Sequence, residues 1–318
     1  MTRAFVFLVS FVFVSFPLAA RAQMFEDIGI RAQGMAGAFV AVADDATATW
    51  WNPAGLATGA FFSAVVEYDR LEETQEGDLP GPSPECRSSG GGISVVFPAL
   101  GLSYYRLHIK QIRPPDSTAA SSASRQDQGV ASPGVSSLEM SQFGASVGQS
   151  LGNHLVIAST LKALRVQSET HGDFDVGAMA AFGGVRLGLA VHNVTAPEIG
   201  SGDAVVELPR QARAGVSLTS AGVGGTDNLT VALDADLTRT PTAVGDERHV
   251  AGGAEAWMFG RRIGLRGGLS WSTVGDARLA YAAGGSVALL RWLYLDGEAT
   301  IGNDRARQGW GLGARVTF

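Results

Sequence analysis

The chain contains a single cysteine, Cys86, so no intramolecular disulfide framework can form. It lies far from the start, which excludes a lipid-carrying N-terminal cysteine, and it reads as a lone thiol in a loop. Charge is also scarce: 17% of the 318 residues are charged against 46% hydrophobic. Soluble chains usually carry nearer about a quarter of charged residues. The net charge of −6 is mild and leaves no basic surface for nucleic acid. Apolar runs are short, and none reaches the roughly 18 residues of a membrane-spanning helix. Catalytic signatures are missing as well. HExxH, GxSxG and P-loop patterns do not occur, and the histidines are scattered at 108, 154, 171, 192 and 249. A nucleophile needs a base within reach, so the sequence argues against an enzyme and offers no metal or cofactor site.

What is present begins with a secretory signature. Met1-Thr2-Arg3 precedes an apolar run from Ala4 to Phe16, then Pro17 and Ala20-Arg21-Ala22-Gln23. A positive head, a short apolar stretch and small residues at −3 and −1 predict a signal peptide over 1–22, cleaved after Ala22. Residues 23–59 then form a block of their own, and from Ala60 to Phe318 the chain becomes short alternating segments separated by Gly, Pro, Asn, Asp and Ser. They fall at 60–70, 91–98, 100–109, 138–149, 154–166, 173–182, 184–193, 207–220, 228–239, 248–258, 261–271, 278–289, 291–301 and 307–318. Most approach the 9–11 residues or so with which a tilted strand crosses a bilayer.

Alternation assigns the faces. Leu229, Val231, Leu233, Ala235 and Leu237 oppose Asp234 and Asp236. Ile263, Leu265, Leu269 and Trp271 oppose Arg266 and Ser270, and Leu293, Leu295, Ala299 and Ile301 oppose Asp296 and Glu298. One set meets lipid and the other a polar interior. The pattern weakens in 91–109 and 248–258, and Gly90-Gly91-Gly92 reads as flexible loop. If the first strand runs outward, the long connections 71–90, 110–137, 194–206 and 240–247 all lie outside, while 98–100, 149–153, 182–184 and 289–291 are tight turns. The stretch 114–136, rich in Ser, Ala, Pro and Gln, has too little apolar surface to offset its ordering. The last strand alternates through Trp310, Leu312, Ala314 and Val316 to Phe318, an ending of the kind that the outer-membrane assembly machinery recognises. A soluble β-sandwich would also alternate, but it would seldom need so many strands. The fold class expected is therefore all-β, a transmembrane antiparallel barrel of about fourteen strands in the bacterial outer membrane.

The block Gly29-Ile30-Arg31-Ala32-Gln33-Gly34-Met35-Ala36-Gly37-Ala38-Phe39-Val40-Ala41-Val42-Ala43-Asp44-Asp45, followed by Trp50-Trp51-Asn52-Pro53-Ala54-Gly55-Leu56, resembles the start of PorV/PorQ-type proteins. These are similar to the FadL-like superfamily of long-chain fatty-acid transporters (OMPP1/FadL/TodX). Gly188 to Asn193, Leu208-Pro209-Arg210 and Gly253 to Trp257 look like that group too. The resemblance implies a barrel whose lumen is closed by an N-terminal hatch over 23–59 carrying Asn52, Pro53 and Ala54. Asn52 suits a helix cap and Pro53 the first turn after it. Gly34 and Gly37 allow close approach to the wall. Arg31, Asp44 and Asp45 are expected to pair with lumen charges drawn from Arg213, Asp234, Asp236, Glu255, Arg266, Asp296 and Glu298.

Two functions follow from the resemblance. One is passage or binding of small hydrophobic molecules across the outer membrane. The other is a secretion-system role in which the barrel holds exported protein cargo. The chain is short for the fatty-acid branch, and no apolar pocket can be placed from its sequence. Outer-membrane lipid, the barrel-assembly machinery and either a hydrophobic ligand or cargo are the expected partners.

Overall fold

Fourteen strands pair edge to edge and the last pairs with the first, so the sheet closes on itself. The computed structural model describes residues 20–21, 28–74, 85–113, 134–166, 169–199, 206–242, 245–275, 278–303 and 307–318. The leader expected over 1–22 lies outside these residues apart from Ala20–Arg21, which pair in parallel with Val206–Glu207. The cleavage point and residues 114–133 of the Ser-rich stretch also lie outside them.

The first seven strands are β1 (Ser63–Thr74), β2 (Glu85–Phe97), β3 (Leu100–Arg113), β4 (Gly134–Leu151), β5 (Leu155–Val166), β6 (Glu169–Phe182) and β7 (Val185–His192). The second seven are β8 (Gln211–Ala221), β9 (Asn228–Asp236), β10 (His249–Met258), β11 (Ile263–Ser272), β12 (Ala280–Ala288), β13 (Leu293–Gly302) and β14 (Arg307–Thr317). All neighbours run antiparallel, and among the described residues each ladder keeps one register from end to end. Closure leaves no edge to expose unpaired backbone groups.

Alternation sorts each strand into two faces. Val66, Tyr68, Leu102, Tyr104, Phe143, Leu161, Leu187, Leu233, Leu265, Leu295 and Leu312 point outward and are exposed, forming an apolar band. Glu67, Asp69, Asp175, Arg213, Asp234, Glu255, Arg266, Asp296 and Arg315 point inward and are buried.

Four expectations change. Cys86 lies in β2, paired in register with Glu73 and Gln111, and is not in a loop. Gly90-Gly91-Gly92 also sits inside β2, where a Cβ on Gly92 would come within 2.4 Å of the Tyr105 ring. The connection expected at 71–90 is shorter, because β1 runs to Thr74 and β2 starts at Glu85. Likewise β3 reaches Arg113 and β4 begins at Gly134. The bilayer fixes the length of the apolar band only. Ladder hydrogen bonds can continue beyond it, with polar outward residues such as Arg70, Glu72 and Arg87.

The two weakly patterned regions now have faces. In β10 the inward positions are His249, Ala251, Gly253, Glu255 and Trp257. In β2 and β3 the inward set includes Val96, Tyr105 and Leu107. Val96, Tyr105 and Leu107 face apolar protein and not water, and Ala251 and Trp257 of β10 are apolar as well, which is why polarity alternates weakly there.

Phe318 extends the closing seam. Phe62 and Phe318 exchange backbone hydrogen bonds of 2.9 and 3.1 Å, and their rings stack with centroids 4.9 Å apart. Removing Phe318 should cost about 2–4 kcal/mol, summing two net hydrogen bonds and one aromatic pair. The truncated barrel should lose its heat-shifted mobility on detergent gels at a lower temperature than the full chain; an unchanged transition would show that the seam closes without that residue.

Candidate functional site

The segment from Ile28 to Leu56 lies inside the ring of strands, with nearly every side chain buried. Two helical turns shape it: α1 (Ile30–Gln33) and α2 (Ala48–Trp51), the latter followed by a 3-10 turn over Pro53–Ala57. None of these is long enough to be stable alone. The wall must therefore hold the segment.

Wall carboxylates serve its backbone directly. Gly29, the residue before α1, has no side chain with which to cap it. Instead Glu67 of β1 accepts the amide hydrogens of Gly29 at 3.0 Å and Ile30 at 3.1 Å. An anion at a helix start also meets the orphan amides and the dipole there. Asp234 of β9 accepts from Phe39 at 2.8 Å and Val40 at 2.7 Å. Ser63 accepts from the Ala46 amide, and Ser217 donates to the Ala41 carbonyl, each at 3.1 Å.

Asn52 is fully buried and uses both ends of its amide. Its Nδ2 donates to the carbonyls of Val40 at 2.9 Å and Ala178 at 3.2 Å, while Oδ1 accepts from the Ala54 amide at 3.1 Å. One side chain thus caps the 3-10 turn and ties it to β6. Pro53 opens that turn, where its missing amide hydrogen costs nothing. Ala54 packs against Ala158 and Met179 of the wall.

The wall makes room with glycine. A Cβ on inward-facing Gly177 would meet Asn52 Oδ1 at 2.2 Å, on Gly188 the Val40 carbonyl at 2.5 Å, and on Gly253 the Met35 carbonyl at 2.6 Å. Gly34 answers from the other side, since its Cβ would reach Arg266 at 2.9 Å. Gly37 has φ of 85°, a left-handed turn that suits glycine.

Charges lock the centre. Arg31 donates to Glu255 at 2.7 and 2.5 Å, to Asp45 at 3.2 Å, and to Asp44. Arg266 approaches the same Glu255 at 3.4 Å and Asp296 at 3.4 Å, and Arg315 reaches Asp296 at 3.1 Å. Ser286 bridges Arg266 and Asp296. The expected pairing of Arg31 with the lumen is met at Glu255. Asp44 and Asp45 serve Arg31 and not wall cations, except that Asp44 lies 3.9 Å from Arg186. Asp234 holds backbone. Arg213 pairs with Asp236 at 2.6 Å, away from this cluster, and Glu298 accepts from Thr300 at 3.0 Å.

Sequence reasoning passed over Glu67, Arg315 and the buried cluster of Lys162 with Asp173, Asp175 and Asn193, at 3.0, 2.7 and 2.7 Å. The signal was there: Glu67 sits between outward Val66 and Tyr68, and Arg315 between Ala314 and Val316.

Cavities lie on both sides of the segment. On the long-connection side a space of about 30 Å³ is lined by Gln33, Gly37, Asp69, Glu298 and Arg307. On the short-turn side a space of about 400 Å³ is lined by Asp44, Asp45, Arg186, Glu255, Trp257 and Arg315. The first is about one water in size. Among the described residues no His, Cys, Asp and Glu group is placed to hold a metal ion.

Glu255 neutralises two buried guanidinium groups, so Glu255→Gln should weaken the inner segment by roughly 3 kcal/mol. Amide exchange over residues 30–51 should then quicken by about two orders of magnitude, while the barrel strands keep their protection. Unchanged exchange at Ile30 to Trp51 would contradict the lock.

No protein-family profile matches the sequence, and no curated protein is significantly similar to it. Solved structures do match in fold. The toluene transporter TbuX of Ralstonia pickettii aligns at a TM-score of 0.61 and 12% identity, over 92% of this chain and 99% of that one. The toluene transporter TodX of P. putida gives a TM-score of 0.61 at 10% identity, over 93% and 99%. The monoaromatic hydrocarbon channel CymD gives 0.50 at 11% identity, over 93% and 99%. The closed fourteen-stranded barrel of this chain is thus a fold that it shares with these channels.

Proposed function

We propose that this protein resides in the outer membrane and passes small hydrophobic molecules through its barrel, with residues 28–59 as the gate. One observation carries the substrate class. Barrel interiors are normally polar, yet Leu107, Met140 and Val166 lie side by side on the inner faces of β3, β4 and β5, with Tyr105 and Leu164 one step below. Trp50 of the inner segment meets this patch, its ring 5.3 Å from that of Tyr105. The patch sits toward the long connections, where an incoming solute would arrive. An apolar solute gains about 25 cal/mol for each Å² it hides from water. Similarity in fold to toluene and monoaromatic hydrocarbon channels supports solutes of that size.

The gate follows from volume. Ligand sites usually offer roughly 300–1,000 Å³, far more than the space of about 30 Å³ beside Gln33, Asp69 and Glu298. Entry therefore requires the segment to shift, and the 400 Å³ space below would receive the solute on its way out. The cargo-binding reading predicts no dependence on the inner apolar patch.

Leu164→Asp places a charge in that patch, whereas Leu164→Met keeps its volume and polarity. In cells producing equal amounts of assembled barrel, the Asp variant should take up radiolabelled toluene at least about tenfold more slowly, and the Met variant near the native rate. Equal uptake by all three proteins would reject hydrophobic transport through the lumen.

A further inference from the structure

The outward face changes abruptly at the end carrying the long connections on the arc from β1 to β5. Over β1 to β5 the apolar band ends with Tyr68, Tyr104, Phe143 and Leu161, all exposed. The next outward positions along those strands are Arg70, Arg106, Ser141 and, past Ala163, Arg165. The registers set them side by side. Arg106, Ser141 and Arg165 share one rung across β3, β4 and β5, and Arg70, Ser89, His108 and Glu139 share the next across β1 to β4. Arg87 stands opposite Glu72 one rung further out. Strands lie about 4.8 Å apart, so the group extends roughly 20 Å along the rim.

These cations are held but not consumed. Glu72 is shared by Arg70 at 2.8 Å and Arg87 at 3.5 Å, and Glu139 pairs with Arg106. The arginine side chains keep 46%, 44% and 62% of their surface, and Arg165 is exposed beside them. Among the described side chains a positive surplus therefore stands here, on a chain whose net charge is −6. Cations occur elsewhere toward the same end, as at Arg239 and Arg248, but as residues of the β9–β10 connection and not in register across neighbouring strands.

We infer that this arc is a binding site for a phosphorylated saccharide lipid of the outer leaflet, a headgroup of the lipid A type. Its place on the membrane-facing side, immediately beyond the aromatic residues, selects a lipid headgroup over a soluble anion. Guanidinium groups recognise phosphate through paired hydrogen bonds. The interleaved carboxylates of Glu72 and Glu139 would repel a plain phosphodiester but can accept hydrogen bonds from sugar hydroxyls. That mixture fits a phosphorylated sugar. The inference rests on the orientation in which the long connections lie outside the cell, and the test separates the two claims.

The purified full-length barrel would be mixed in detergent with bisphosphorylated lipid A, dephosphorylated lipid A and phosphatidylglycerol, and bound lipid read by native mass spectrometry. The native protein should retain lipid A in clear preference to the other two. The triple variant Arg70→Gln, Arg106→Gln, Arg165→Gln should bind it at least about tenfold more weakly, since charge-assisted contacts to phosphate are lost. Arg248→Gln, on the far arc, should bind normally. Preference for phosphatidylglycerol would overturn the site by inverting the orientation, without touching the transport reading. Equal retention of lipid A and its dephosphorylated form by the native protein would also overturn it, and needs no variant to fold.

Discussion

The backbone of residues 28–59 must find hydrogen-bond partners inside a ring whose strands have spent theirs on one another. Turns within the segment meet part of that demand, from Gln33 bonded to Gly29 through Trp51 bonded to Thr47 to Thr58 bonded to Gly55. Side chains from the wall supply further partners, Glu67 and Asp234 for amides and Ser63 and Ser217 for one group each, while Asn52 of the segment reaches outward to β6. The inward face is therefore built as a complement to one particular segment. Its glycines stand where that backbone passes, and its charges stand where that backbone or Arg31 needs them.

This explains a composition that is odd for either half of the molecule. Many of the 42 glycines fall within strands, where glycine normally weakens the ladder. At Gly177, Gly188 and Gly253 any side chain would displace the inner segment. Low overall charge fits as well. The outward face has none in its apolar band, and inward charges occur as matched sets around Arg31, Glu255, Arg266, Asp296 and Arg315. Buried pairs of this kind add little net stability, yet breaking one is expensive. Such an arrangement gives the segment one favoured position with a sharp penalty for leaving it.

Although the sequence offered Arg31 several wall charges without singling out Glu255, strand number and the faces in β9, β11 and β13 were legible in it. The reason is that lipid imposes a uniform rule on the outward face, so alternation shows wherever the inward face is polar. It fails at Val96, Tyr105 and Leu107, whose inward neighbours are apolar side chains such as Trp50. It also fails to mark strand ends such as Thr74 and Glu85, because a ladder that leaves the bilayer keeps its hydrogen bonds but loses its pattern. Cys86 and the three glycines beside it were misplaced for that reason. Glu67 and Arg315 were missed although their strands alternate, because a single inward charge does not announce what it will hold.

Everything above depends on the inner segment filling a barrel that would otherwise be open. Planar-bilayer conductance of a chain lacking residues 30–57, compared with the intact chain, measures this directly. The account predicts a barrel that still assembles and conducts in steps of a size expected for an open lumen, while the intact protein stays closed for most of the record. Equal conductance in the two proteins would contradict it.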